Sequence, residues 1–200
     1  MLTLEQGEAI VKFARAVIEA EFSGIRPDVP EILKEVFKEN RGVFVTLEHY
    51  PNKELRGCIG YPEPIMPLGN AIRDSAKSAA FRDPRFHPVS ENELKNLIVE
   101  VSILTEPELI KVKNPRDYPK EVKIGRDGLI VEKGWYKGLL LPQVPVEWKW
   151  NTEEFLCQTC VKAGLSPDTW LVPRIKIYKF SAHIFTEKEP DGEVEEKKIS

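Results

Sequence analysis

The chain predicts an α+β fold in two lobes: an antiparallel or mixed sheet packed with helices, plus a smaller α+β lobe, with a cleft between them. Three observations carry this expectation. Amphipathic helical patterns and hairpin patterns are mixed without a strict strand–helix–strand alternation. Near Lys113 the helical spacing gives way to Gly- and Pro-rich sequence with short apolar runs. The length of 200 residues supplies one large domain or two small ones. The expected boundaries are residues 1–112 and 166–190 for a discontinuous larger lobe, 113–165 for the smaller lobe, and 191–200 for a charged tail.

The elements follow in order. Thr3 and Gln6 make a capping box, Ile10, Phe13, Ala14, Val17 and Ile18 recur at helical spacing, and Gly24 ends the segment. Beyond Pro27 and Pro30, a short amphipathic helix turns Ile32, Leu33, Val36 and Phe37 one way. "GVFVTLEHY" and "LRGCIGY" are strands of a hairpin that turns at "PNKE". A Pro-rich loop from Pro62 to Pro67 precedes the helical spacing of "LGNAIRDSAKSAAF". "SENE" at Ser90–Glu93 is a second capping box, opening a short helix before the strand "LIVEVSIL". "GLIVEKGWYKGLLL" gives two strands joined at Lys133-Gly134, and "NTEEFLCQTCVKAG" a helix capped at Asn151 or Thr152 and closed by Gly164. "RIKIYKFSAHIF" alternates with period two and is expected as one strand returning to the first lobe. The last stretch, "TEKEPDGEVEEKKIS", is charged and expected to fray.

Composition narrows the function classes. A net charge of −3 without a basic block lacks the footprint of a nucleic-acid binder, so that partner is not expected. Met1 leads straight into an amphipathic helix with acidic residues, and no apolar run approaches the roughly 20 residues of a membrane span. A cytoplasmic protein without membrane association is expected. Lys and Glu abound while Asn and Gln are scarce, a bias of heat-stable proteins. Three cysteines are too few, and odd in number, for a secreted disulfide framework. Cys157 and Cys160 fall in the middle or second half of a helix, away from the N-terminus that activates a redox thiol. No second ligand pair completes a zinc site around them, and no metal constellation is visible elsewhere.

The stretch "ELRGCIGYPEP" raises a question, because two glycines flank a thiol inside a strand. Cys58 is either a packed small hydrophobe or a thiol open to approach. Period two puts Leu55, Gly57 and Ile59 on one face and Arg56, Cys58 and Gly60 on the other. Matching apolar faces across the hairpin sets Thr46 opposite Cys58 and Glu48 opposite Arg56. Arg56 favours the thiolate while Glu48 cancels much of its field, and Arg56 equally suits a carboxylate or phosphate ligand. "FRDPRFHP" adds Asp83, Arg85 and His87 on a loop, Asp83 to pair with Arg85 or Arg56 and His87 as a base for Cys58. The bland alternative is a turn with Pro at its second position. Gly138, Pro142 and Gln143 in "GLLLPQVP" line the other wall of the cleft, or Gln143 caps its loop. His49 and His183 are expected as surface or satisfied histidines, and the four tryptophans as buried or boundary residues rather than a base-stacking platform.

"LRGCIG" resembles the six-residue signature of the AMMECR family. "SAAFRDPRFHPVSENELKNLIVEVSIL" from Ser78 to Leu104 and "GWYKGLLLPQVPVEWKWNTEEFLCQTCVKAGL" from Gly134 to Leu165 resemble its next two blocks, in the expected order. The resemblance implies a two-lobed α+β fold with the hexapeptide at a cleft, and implies no reaction and no particular cofactor. Relatives fused to, or encoded beside, a Memo-like domain and a radical-SAM protein imply partners in one pathway, with a small substrate or a modified partner. The candidate catalytic residue is then Cys58, as nucleophile or thiol acid. The candidate ligand-binding residues are Arg56, Gly57, Gly60, Asp83, Arg85, His87 and Gln143. The competing expectation is a non-catalytic interaction module that binds a peptide or a partner subunit.

Overall fold

The computed structural model describes residues 2–197. Thr3 caps α1 (Leu4–Ser23) by a reciprocal pair: its Oγ1 accepts from the Gln6 N–H at 3.2 Å, and Gln6 Oε1 accepts from the Thr3 N–H at 3.0 Å. Gly24 closes the helix at φ 73°, where a side chain would be strained. The hairpin strands are β1 (Val43–His49) and β2 (Leu55–Tyr61). They are followed by α2 (Leu68–Phe81), the single turn α3 (Glu91–Leu94) and β3 (Leu97–Leu104). Next come β4 (Glu108–Leu109), the turn α4 (Tyr118–Glu121), β5 (Gly128–Lys133), β6 (Tyr136–Leu140) and the turn α5 (Val144–Glu147). Helix α6 (Thr152–Lys162) precedes β7 (Lys176–Phe180), β8 (Ala182–Glu187) and β9 (Val194–Lys197).

The α+β class holds: two antiparallel sheets are each backed by helices, one with strand order β2-β1-β3-β8-β9 and one with β4-β7-β5-β6. Packing gathers the described chain into two units. The first takes the residues up to Leu104 together with His183–Lys197, and the second takes Thr105–Ala182. These divisions lie nearer the strand ends than the composition change at Lys113 suggests.

In the first unit, Val43, Val45 and Leu47 of β1 and Val99, Val101 and Ile103 of β3 are fully buried with Ile10, Ala14 and Ile18 of α1 and Leu68, Ile72 and Ala76 of α2. All eight residues of β3, a central strand between β1 and β8, are buried. A buried ion pair crosses this core. Arg15 donates to Glu187 through Nε at 2.6 Å and Nη2 at 2.5 Å, and Nη2 also reaches the Leu97 carbonyl at 2.6 Å. Glu187 in turn accepts the Val99 N–H at 2.8 Å, so both charges are satisfied where water is excluded. The second unit buries Leu129, Val131, Phe155, Leu156, Cys160 and Ile177.

Three expectations change. The segment after Pro30 forms two isolated 3₁₀ turns, Glu31–Leu33 and Val36–Lys38, instead of a helix; so short a segment does not repay helix nucleation, and burying Leu33 and Phe37 suffices. "RIKIYKFSAHIF" is two strands in different sheets, β7 and β8, broken at Ser181. The charged C-terminal stretch contains β9, paired antiparallel with β8, with Val194 buried; the end of that stretch lies outside the described residues. Among the described residues, no helix is long and apolar enough to cross a membrane.

Candidate functional site

The signature strand β2 is an edge strand, paired on one side with β1. Thr46 faces Cys58, as the apolar register requires. The register then slips at Leu47/Glu48: Leu47 pairs with Gly57 and Glu48 with Leu55, which leaves Arg56 as the extra residue of a bulge. The expected Glu48–Arg56 pair therefore does not form. The bulge aims Arg56 elsewhere, and its guanidinium grips Glu93 through Nε at 2.5 Å and Nη2 at 3.1 Å. Nη2 also donates to the His87 carbonyl at 2.7 Å. Arg56 is buried, its Nη1 has no hydrogen-bond partner, and its guanidinium carbon lies 5.5 Å from the centre of the Phe86 ring. Glu93 also completes the α3 capping box with Ser90, so one carboxylate ties the helix start to the signature strand. Burial works to raise the Glu93 pKa, yet the bond from Arg56 holds it below the ordinary carboxylate value.

The two glycines have steric causes. A Cβ on Gly57 would sit 2.2 Å from the Ala79 carbonyl oxygen of α2, so only glycine lets that helix lie against the strand. A Cβ on Gly60 would meet the Val43 carbonyl oxygen at 2.2 Å and the Phe44 Cα at 2.6 Å. Close backbone approach is what both positions need.

Cys58 projects from the other face, half-buried beside Thr46, whose hydroxyl donates to the sulfur at 3.3 Å. The Cys58 N–H points away from β1 and donates to Asp83 Oδ2 at 2.9 Å. Thr46 and Cys58 are thus a pair without ladder bonds between them, the geometry that brings opposed side chains closest. Asp83 also accepts from Arg85: the backbone N–H at 3.1 Å and Nε at 2.9 Å reach Oδ1, and Nη2 at 2.7 Å reaches Oδ2. Four donors saturate the carboxylate. Arg85 Nη2 further contacts the Cys58 carbonyl at 3.3 Å. The Asp83–Arg85 couple thereby occupies both outward polar groups of the Cys58 peptide, covering the edge a neighbouring strand would otherwise use. The bond from Arg85 drives the Asp83 pKa well below the ordinary carboxylate range.

The environment of Cys58 favours the neutral thiol. Burial raises its pKa; the Thr46 hydroxyl and the Arg85 charge oppose this, and Glu100 and Asp83 reinforce it. Glu100, opposite Thr46 on β3, is buried and bonded to Lys197 at 2.9 Å. On the same face Glu48 is half-buried, and burial followed by the charge of Glu100 raises its pKa. Arg85 keeps a side-chain exposure of 52%, against 2% for Asp83, so its outer donors reach solvent at the Cys58 backbone.

Of the candidate residues, Arg56, Cys58, Asp83, Arg85 and His87 come together, with His87 contributing its backbone carbonyl. Among the described residues, no hydrogen bond joins the His87 ring to the Cys58 sulfur. Gln143 lies in the second unit, where its backbone carbonyl accepts from Val146 at 3.1 Å and Glu147 at 3.0 Å at the start of α5, and its side chain makes no capping bond. Sequence reasoning missed Glu93 and Phe86 as contributors. Glu93 carried a visible signal as the third residue of a capping box, which named one of its two partners. Phe86 lies 5.4 Å from the Arg85 guanidinium as well as near Arg56, and a lone aromatic in a Pro-containing loop announces neither contact.

The fold and this strand–loop clamp define a two-unit α+β protein organised around an LRGCIG hairpin. The chain belongs to the AMMECR1 family, whose model matches residues 11–185. It is 59% identical over 199 residues to Protein MJ0810 of Methanocaldococcus jannaschii, covering 100% of this chain and 98% of that one. It is 53% identical over 187 residues to a protein of Methanothermobacter thermautotrophicus, covering 93% and 96%. The crystal structure of the uncharacterised protein PH0010 from Pyrococcus horikoshii superposes with a TM-score of 0.81 at 52% identity, covering 97% of each chain.

Proposed function

We propose that the signature face binds a small anionic molecule, or an anionic group on a modified partner, against the outer edge of Arg85, with Cys58 facing it as a protonated thiol. One observation carries this reading. Asp83 fixes Arg85 against the backbone of Cys58 while the arginine side chain stays 52% exposed, within range for its charge to act on the thiol. In a reaction, a neutral thiol serves as a proton donor rather than as a resting nucleophile. The family context of Memo-like and radical-SAM proteins supports a partner pathway for such a ligand. Binding without catalysis has its own support in two tryptophans that depart from the buried or boundary expectation: Trp135, fully exposed on the β5–β6 turn, and Trp148, 67% exposed.

Alkylation of Cys58 by iodoacetamide in the folded protein, followed by mass spectrometry across pH, tests the reading. Labelling is expected to be slow at neutral pH and to rise only above the ordinary thiol value of about 8.5. Inorganic phosphate or citrate at constant ionic strength is expected to slow it further, and Arg85→Gln to abolish that protection. Rapid labelling well below that pH, or protection that survives Arg85→Gln, would overturn the reading.

A further inference from the structure

A polar cavity of about 690 Å³ opens in the first unit between the C-terminal half of α1, the loop after Gly24 and the solvent side of α2. Its wall carries charges of both signs, and their pairing decides what it can hold. Glu21 is engaged by Lys77. Asp74 is engaged twice, by the Tyr61 hydroxyl at 2.6 Å and by Arg82 at 2.9 Å. Those carboxylates are spoken for.

Two guanidinium groups are not. Arg73 is half-buried with its guanidinium carbon 4.5 Å from the centre of the Phe13 ring, and its Nη2 donates to the Pro27 carbonyl at 3.2 Å. Stacking and that single bond fix its plane, yet an arginine has five N–H donors to place. Arg26, exposed on the loop, lines the same cavity. Among the described residues, neither Arg26 nor Arg73 has a carboxylate within ion-pair distance. Asp28 is the remaining acidic group on this wall, also without an ion-pair partner, and Asn70 adds an uncommitted side-chain amide.

Two uncompensated cations against one uncompensated anion leave a single positive charge. We infer that this cavity is a binding site for a small carboxylate-bearing monoanion, held by the fixed fork of Arg73 and by Arg26, with Asn70 as a neutral hydrogen-bonding partner. Asp28 sets the selectivity. On the same wall as two arginines, its carboxylate tolerates one incoming negative charge but repels a dianion such as hydrogen phosphate. The site is separate from the Arg85 edge and does not depend on the function proposed there.

The test titrates the ¹⁵N-labelled full-length protein with sodium propionate, ionic strength being held constant with sodium chloride, and follows the Arg73 Nε–Hε and Asn70 side-chain signals by NMR. A saturable shift with Kd of about 1 mM is expected, a modest affinity suited to so small a probe. Arg26→Gln, at an exposed position, should weaken binding about tenfold, the effect of losing one charge-assisted contact worth roughly 1.4 kcal/mol. Asp28→Asn should tighten propionate binding several-fold and admit sulfate, a dianion at every working pH, which the native site excludes. Arg73→Gln should remove saturable binding; if that variant fails to fold, Arg26→Gln and Asp28→Asn still decide the matter. Shifts that stay linear in propionate, or that are unchanged in Arg26→Gln and Asp28→Asn, overturn the assignment.

Discussion

Two arginine–carboxylate clamps in the first unit use the same chemistry to opposite ends. Arg15 and Glu187 are both buried, with side-chain exposures of 5% and 1%, and the donors of Arg15 that hold the pair point inward at the carboxylate and the Leu97 carbonyl. Arg85 and Asp83 share the bidentate contact, but only the aspartate is buried; the arginine keeps one edge in solvent. The first pair closes on itself and fastens α1 to two strands. The second anchors a charge beside Cys58 and leaves it able to meet something else. A guanidinium whose counter-ion is buried while it is itself exposed keeps donors free, which is the condition the proposed anion site rests on.

That contrast can be broken at its stronger end first. Glu187→Ala leaves Arg15 buried without its counter-ion and is expected to cost about 3–5 kcal/mol in urea unfolding, as for other severed buried pairs. Gly57→Ala is next: the new methyl meets a backbone carbonyl of α2, and a loss of about 1–3 kcal/mol from overpacking is expected by the same measurement. Asp83→Asn removes the charge that holds Arg85 and weakens the cover on the Cys58 peptide, at about 1–3 kcal/mol.

The same substitution sharpens the comparison through pH. The folded-state pKa of Asp83 lies below its unfolded value of about 3.9. Its contribution is therefore fully present above that value and is lost as pH falls below it toward the folded pKa. The stability difference between native protein and Asp83→Asn should shrink on acidification, and a difference independent of pH would contradict the ionised clamp. Arg85→Gln is the smallest change in stability, less than about 1 kcal/mol for so exposed a partner. It should nevertheless raise the Cys58 pKa, read as slower alkylation at fixed pH, because the charge of Arg85 is one of the two effects that favour the thiolate.

How far the sequence could be read depended on the range of the interaction. The capping boxes at Thr3 and Ser90 stand as expected, and of the two cap candidates Asn151 and Thr152 the structure takes Asn151, since each cap is complete within four residues. The Thr46–Cys58 pairing followed from a short hairpin with one apolar face. The bulge at Arg56 did not, because alternation of polar and apolar residues is unchanged until the register slips. The guanidinium was visible and its partner was not: Glu93 lies far along the chain, on an element whose local role was already satisfied. The break at Ser181 was likewise hidden, as β7 and β8 together preserve a period of two across a change of sheet.

By itself, the order of residues determined the family, the α+β class, the capped starts of α1, α3 and α6, the glycine stops of α1 and α6, and the face on which Cys58 lies. These rest on spacing, capping and side-chain alternation, which act between near neighbours. Only the tertiary structure decided that Arg56 turns to Glu93, that Asp83 covers the backbone of Cys58, and that burial raises the pKa of its thiol. Each of those depends on how deeply a charge is buried and which distant group meets it there, and burial is a property of the packed molecule.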